Sequence, residues 1–459
     1  MIPLTQYIDD NLPRFIEEWQ SLVGIPSVSS DSSHKQDMLR CAERWKELLL
    51  QAGVQRAEIL PTQGNPIVFG EYCVTKDASE ASETPTVLVY GHYDVMPVEP
   101  LEAWQSDPWQ LTERNGRMYG RGADDDKGQT LIQVKAFEYI VRQRLLNTNV
   151  KFILEGEEEI GSPSLAAFLK ENKELLKSDI ILVSDTSMIG AQTPSITTGL
   201  RGLAYWQVEL TGPNRDLHSG HFGGAVKNPA NALCEMLSQI IDKHGRITIP
   251  HFYDKVLPIP EAEREMIRQI PFSETAYRHA IDVDAVAGEE GYSTLERNSC
   301  RPSFDICGIW AGYTGEGSKT VIPSKAYAKI SCRLVANQEH EEISRLMADY
   351  LQQLAPKGVR VKVIPMHGGE GYVCPIDLPA YKAAEAGFTE AFGVPPLAAR
   401  RGGSIPIIST FEQILGVKTI LMGFGLEENA IHSPNESFSL DIFKKGIVAV
   451  CGFYSRFGK

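Results

Sequence analysis

Five short stretches of this chain concentrate residues that bind cations or move protons. They are GHYD with His92 and Asp94, RGADDDKG with Asp124, Asp125 and Asp126, EGEEEIGS with Glu155, Glu157, Glu158 and Glu159, VSD with Asp185, and NAIHSP with His432. In the second, three carboxylates stand side by side, and two like charges about 4 Å apart at an effective dielectric of about 20 repel by about 4 kcal/mol. Such a stretch is either a solvated loop or a place where a cation compensates the charge. Two divalent cations that share one bridging carboxylate, each with one histidine and one further carboxylate, require two histidines and three acids. Three carboxylates and a bridging hydroxide would then neutralise the four positive charges. The stretches contain that inventory and leave Asp94 and one glutamate over, the first to orient a ligating imidazole and the second to act as a base.

Each stretch alone has a plainer reading. His92 and Asp94 could be a satisfied turn, the glutamate run a solvated loop, and His432 a loop histidine without a role. Their placement relative to predicted elements argues otherwise. TVLVYGHYD (86–94), VKFILEGEEE (150–159), DIILVSD (179–185) and VKTILMGFG (417–425) are apolar runs that stop abruptly at polar groups and read as buried strands. Between the first two, QTLIQVKAFEYIVRQRL repeats apolar residues at near-helical spacing. Strand, helix and strand in alternation predict a mostly parallel sheet covered by helices, and such sheets bind ligands beyond the carboxyl ends of their strands. His92, the glutamate run, Asp185 and His432 all fall at such ends, and RGADDDKG precedes a helix whose N-terminus favours negative charge.

From about Leu203 the pattern changes. AYWQVELTG and SKAYAKISCRLVA alternate polar and apolar residues as half-exposed strands do, and they flank helical stretches PANALCEMLSQIIDK and EEISRLMADYLQQL. The expected architecture is therefore α/β: a mostly parallel-sheet domain made of residues 1–200 and 373–459, with an α+β domain of residues 201–372 inserted. GYTGEGSKT (312–320) misses the phosphate-loop spacing, because Ser318 separates Gly317 from Lys319, and reads as a turn between strands.

The 459 residues carry a net charge of -14, which disfavours nucleic acid and anionic membranes as partners. MIPLTQYIDDNLPRF has no basic segment ahead of an apolar one, so no secretory signal is expected, and no apolar run reaches membrane-spanning length. The eight cysteines are scattered singly, which suits reduced thiols in a cytoplasm.

Taken in order, GHYDVMPVEPLEAWQSDPW, GRMYGRGADDDKG, EGEEEIGS, VSDTSMIG, LHSGHFGG, KTVIP, RGGSIP and NAIHSP resemble the co-catalytic dizinc peptidases that include carboxypeptidase G, aminoacylase and carnosinase. The stretch RNSCRPSFDICGIWAGYTGEGSKTVIPSKAYAKISCRLV is most similar to the carnosinase and non-specific dipeptidase branch. The resemblance implies His92 and Asp185 on one metal, Glu159 and His432 on the other, and Asp125 bridging both, with a cis peptide bond after the bridge and Asp124 at a position open to replacement. It implies Glu158 as the general base that takes a proton from a metal-bridging water, and Asp94 as the residue that orients His92. His218 matches a histidine that stabilises the oxyanion in the partner subunit of a homodimer formed through the inserted lid and dimerisation domain. Arg333 matches the residue that grips the substrate's terminal carboxylate, and Thr320, His367 and Ser404 match further substrate contacts. His221, close to His218, has no role in the resemblance. The expected cofactors are two divalent ions, Zn²⁺ with Mn²⁺ or Co²⁺ as alternatives, and the expected reaction is hydrolysis of dipeptides or short peptides. The alternative is removal of an acyl group from an N-acyl-amino acid by the same chemistry.

Overall fold

The computed structural model describes residues 2–75, 84–403 and 405–458. Two compact units divide the chain, one of Met1–Thr198, Cys374–Ala399 and Thr410–Lys459, the other of Gly199–Val373 and Arg400–Ser409.

In the first unit the strands Asn149–Glu155, Thr86–His92, Ile180–Val183 and Thr419–Leu421 lie side by side in that order and run parallel. Antiparallel strands flank them: Ile67–Tyr72 and Arg56–Leu60 on one side, Ser195–Leu200 on the other. The mainly parallel sheet read from the apolar runs is thus the one observed. Register sets the strand ends level, since His92 pairs with Glu155 and Tyr90 with Val183, two residues short of Asp185.

The helix Lys127–Arg142 follows the acidic stretch directly and is buried along nearly its whole length. Its apolar positions Leu131, Ile132, Val134 and Phe137 are fully enclosed, and burial of each contributes about 1.5 to 3 kcal/mol. Even its polar positions are inside, with Lys135 paired to Glu138 at 2.9 Å and to Glu18 of the helix Leu4–Val23. A buried charge of this kind is tolerated because both partners remain paired. The helix can start so close to the turn only because residue 128 is glycine: a Cβ there would stand 1.9 Å from the Ala123 carbonyl oxygen.

The second unit carries a four-stranded antiparallel sheet in the order Ser303–Ala311, Lys325–Leu334, Gly202–Thr211, Arg360–Gly369. Ala204, Trp206, Val208 and Leu210 point into its core while the residues between them do not, as the alternation in the sequence predicts. The helices Pro229–Leu237 and His340–Leu354 contribute Leu233, Met236, Ile343 and Met347 to the same core. The first of these is shorter than PANALCEMLSQIIDK suggests. Asp242 accepts from the backbone N–H of His244 and Arg246 at 2.8 and 2.9 Å, which closes a turn and lets Ile240 and Ile247 reach the core without helix. GYTGEGSKT connects the strands Ser303–Ala311 and Val321–Ile322 and is followed by no helix, so it is not a phosphate loop. Arg400–Ser409 groups with this unit because Arg201 donates to the Gly402 carbonyl at 3.1 Å and Arg400 pairs with Glu263.

Among the described residues no disulfide joins any of the eight cysteines, and no helix is long and apolar enough to cross a membrane.

Candidate metal centre

All five ligand candidates lie in the first unit, at the carboxyl ends of its parallel strands. The buried ring of His92 turns Nδ1 toward the Asp94 carbonyl oxygen at 3.0 Å, with Asp94 Oδ1 at 3.4 Å. Its Nε2 therefore faces Asp125 Oδ1 at 3.0 Å and Asp185 Oδ2 at 3.8 Å. His432 directs Nε2 at the other oxygen of the same carboxylate, Asp125 Oδ2 at 3.0 Å, and at Glu159 Oε2 at 3.2 Å. Two triads result, His92, Asp125, Asp185 and Asp125, Glu159, His432, and within each the ligand atoms lie within 4.8 Å of one another. Asp125 belongs to both.

The three adjacent aspartates divide their tasks. Asp125 enters the centre, and its peptide bond to Asp126 is cis. Asp126 accepts from the His92 backbone N–H at 3.1 Å and from the Thr130 hydroxyl at 2.6 Å, tying the strand end to the first turn of the helix. Asp124 turns the other way and accepts from the Asn429 amide at 2.6 Å. Asp94 has a second task beyond His92, for its two carboxylate oxygens accept from the backbone N–H of Glu158 and Glu159 at 3.2 and 3.1 Å. It thereby fixes the short turn Glu158–Ile160 that carries a ligand candidate and the base candidate on consecutive residues.

Electrostatics supports a cation. Burial, and then the neighbouring negative charge of Asp185, pushes the Glu158 carboxyl up to about 9. Burial and the charge of Asp125 push Asp185 up to about 7. Hydrogen bonds to Asp125 and Glu159 raise His432 to about 10, and His92 also rises well above the usual imidazole range, because its bonds to Asp125 and Asp94 outweigh burial. Without metal, these shifts favour protonated histidines at the places where cations would sit. A donor set of two imidazoles and three carboxylates, one of them bidentate between the halves, fits two divalent ions of the Zn²⁺, Mn²⁺ or Co²⁺ type.

A pH dependence follows for protein stripped of metal by chelation. Asp185, Glu158 and His432 all have folded values above their ordinary ones, so between about pH 5 and pH 9 the folded state binds more protons than the unfolded state. Within that window their contribution to stability is largest at the acid end and is lost as pH rises through the folded values. The melting temperature of the stripped protein is expected to fall from pH 6 to pH 9, and Mn²⁺ added at pH 7.5 should displace about three protons per chain, one from each histidine and one from Glu158. Scanning calorimetry and titration calorimetry in buffers of different ionisation enthalpy measure both; a stripped protein that gains stability toward pH 9 would contradict the arrangement.

His218, Thr320, Arg333 and His367 lie in the second unit. His218 pairs with Val321 in a two-stranded ribbon, and the Thr320 carbonyl accepts from the Ser219 N–H at 3.1 Å, so the ribbon brings His218 and Thr320 together. His218 Nδ1 accepts from the Gly220 N–H at 3.0 Å, which leaves the hydrogen of the neutral ring on Nε2, free to donate. A Cβ at residue 220 would stand 2.9 Å from His218 Cε1, so glycine there lets the ring keep this position. His221 stacks on His218 with ring centroids 4.4 Å apart. Arg333 lies on the strand Lys325–Leu334, and His367 stacks on Tyr205 at 5.1 Å. Ser404 lies outside the described residues.

Fold and centre together define a hydrolase of the co-catalytic metal type, and comparison with known proteins gives the family. The profile of peptidase family M20/M25/M40 matches residues 88–456. The chain is 32% identical to the Cys-Gly metallodipeptidase dug1 of Schizosaccharomyces pombe over 98% of its own length and 97% of the relative's. It is 30% identical to the human Beta-Ala-His dipeptidase over 98% and 91%. An M20 family metallo-carboxypeptidase from Sulfolobus solfataricus superposes with a TM-score of 0.81 at 29% identity, covering 97% of this chain and 99% of that one. The chain belongs to the M20/M25/M40 peptidase family. The resemblance to the carnosinase and dipeptidase branch is borne out by these relatives.

Proposed function

We propose that this chain is a dipeptidase that works with two divalent ions, held by His92 and Asp185 on one side, Glu159 and His432 on the other, and Asp125 between. The observation that carries the reading is Asp125, which offers one oxygen to each histidine, with Glu158 beside it. Bound ions of this type supply Lewis acidity, lowering the pKa of a water and polarising the scissile carbonyl. Glu158 takes the proton of the attacking water and delivers it to the leaving amine. His218 donates its Nε2–H to the carbonyl oxygen as negative charge builds there, a contact worth about 2.7 to 4 kcal/mol in comparable sites. Arg333 receives the terminal carboxylate of the substrate, whose planar geometry a guanidinium matches, and Thr320, His367 and Ser404 complete the contacts.

Dipeptides are favoured over other amides because two relatives that span almost the whole chain are named for Cys-Gly and Beta-Ala-His cleavage. We take the second unit as the inserted lid and dimerisation domain, so that His218 acts in the partner subunit's site of a homodimer. The eight cysteines, scattered singly and free among the described residues, suit a reducing, cytoplasmic setting. The test is a panel on Zn²⁺- and Mn²⁺-reconstituted protein containing Cys-Gly, Beta-Ala-His, longer peptides and N-acetyl amino acids, with metal content measured on the same sample. Highest kcat/KM is expected on a dipeptide with two ions per chain. Preference for acylated amino acids, or for longer peptides, would overturn the dipeptide reading.

A further inference from the structure

Four residues past His432, Glu436 is fully buried and none of the roles above uses it. Its Oε1 accepts from the backbone N–H of Asp124 at 2.9 Å and of Asp125 at 3.1 Å. Its Oε2 accepts from the Gly122 N–H at 2.9 Å and from the Arg121 guanidinium at 2.8 Å. The Glu436 carbonyl oxygen accepts from the Gly120 N–H at 3.0 Å as well. Three backbone N–H groups, those of Gly122, Asp124 and Asp125, thus converge on one side chain. Gly122 adopts φ +80°, a conformation that turns its N–H toward the carboxylate and that other residues rarely take. Arg121 neutralises the charge, itself held by the Pro97 carbonyl at 3.0 Å and lying 5.4 Å from the Trp104 ring centroid.

We infer that Glu436 is the positioning residue of Asp125: it grips the amide of the bridging acid and of the residue before it, and so fixes the turn that offers one carboxylate oxygen to each histidine. The inference rests on the reading of Asp125 as a bridge between two cations. Chain economy strengthens it, because the segment that supplies His432 to one triad also anchors the residue shared by both. Charged acceptors on backbone amides are among the stronger hydrogen bonds, and partners that orient a ligand typically change metal affinity by about 10- to 100-fold when removed.

The variant Glu436→Asp keeps the charge that neutralises Arg121 but withdraws the carboxylate by one methylene from the two amides. Titration calorimetry of Mn²⁺ into stripped protein, alongside His432→Ala, reads the effect. In Glu436→Asp both binding steps are expected to weaken by about 10- to 100-fold, and amide exchange across residues 121–126 should accelerate. In His432→Ala one step should weaken. Unchanged affinities in Glu436→Asp despite faster exchange would overturn the inference. So would weakening of a single step, which would assign Glu436 to His432 alone. If the wild-type protein took up one ion only, the two-cation reading would fail, and the inference would then stand or fall on whether Glu436→Asp weakens that one step. Should Glu436→Asp not fold, the uncharged pair Arg121→Met with Glu436→Met removes the buried ions and the acceptor of both amides together; wild-type affinities there would equally overturn the inference.

Discussion

Replacing Glu158 by Gln is expected to lower kcat by about 10²- to 10⁴-fold while leaving metal content and KM near their wild-type values. The amide is nearly isosteric, and the backbone of residue 158 is held from below by Asp94, so the turn should not move. Glu158 belongs to neither ligand triad, which is why metal should be retained. Burial and the neighbouring charge of Asp185 push its carboxyl up to about 9 without metal, and two dications nearby would pull it down toward the working range of a base. Steady-state kinetics on the reconstituted variant, with metal analysis by mass spectrometry, checks this. Undiminished turnover would remove Glu158 from the role of base, and loss of metal would make it a ligand.

The chemistry was legible in the sequence where strands end abruptly on acids and histidines. A parallel strand buried on both faces must be apolar until it reaches the sheet edge, so a polar residue at the end of such a run marks that edge. His92, Asp185 and the glutamate run follow this rule. His432 did not follow from it as directly, since residues 422–431 separate it from Leu421 and its position depends on how that loop returns. Glu436 left no signal in the sequence: an acid in NAIHSPNES reads as a solvated loop residue, and only the fold reveals four donors around it. The second task of Asp94 was hidden for the same reason, because backbone amides of Glu158 and Glu159 become its partners only after two strands lie side by side. The early end of the helix Pro229–Leu237 was a local matter that propensity could not settle. There the side chain of Asp242 competes with helix for backbone N–H groups, as short acids do.

The second large effect separates two neighbours of the same type. Asp125→Ala is expected to lose both ions and all measurable hydrolysis, because one deletion removes a ligand from each triad at once. Asp124→Ala is expected to keep both ions. Its carboxyl faces Asn429 and is buried, and that environment holds it well above the usual carboxylate range, burial being the main cause. Removing it leaves the Asn429 amide, which also accepts from Arg117, without its acceptor, at a cost of about 1 to 3 kcal/mol in stability. The position is thus replaceable for metal binding and not for the fold, a distinction that spacing alone could not draw. Metal analysis paired with urea unfolding on the two variants resolves it. Equal metal loss in both would mean that the bridge lies one residue earlier than Asp125 or that the turn cannot hold its shape without Asp124; a second variant, Asp124→Asn, which keeps an oxygen toward Asn429, would then retain both ions only in the latter case.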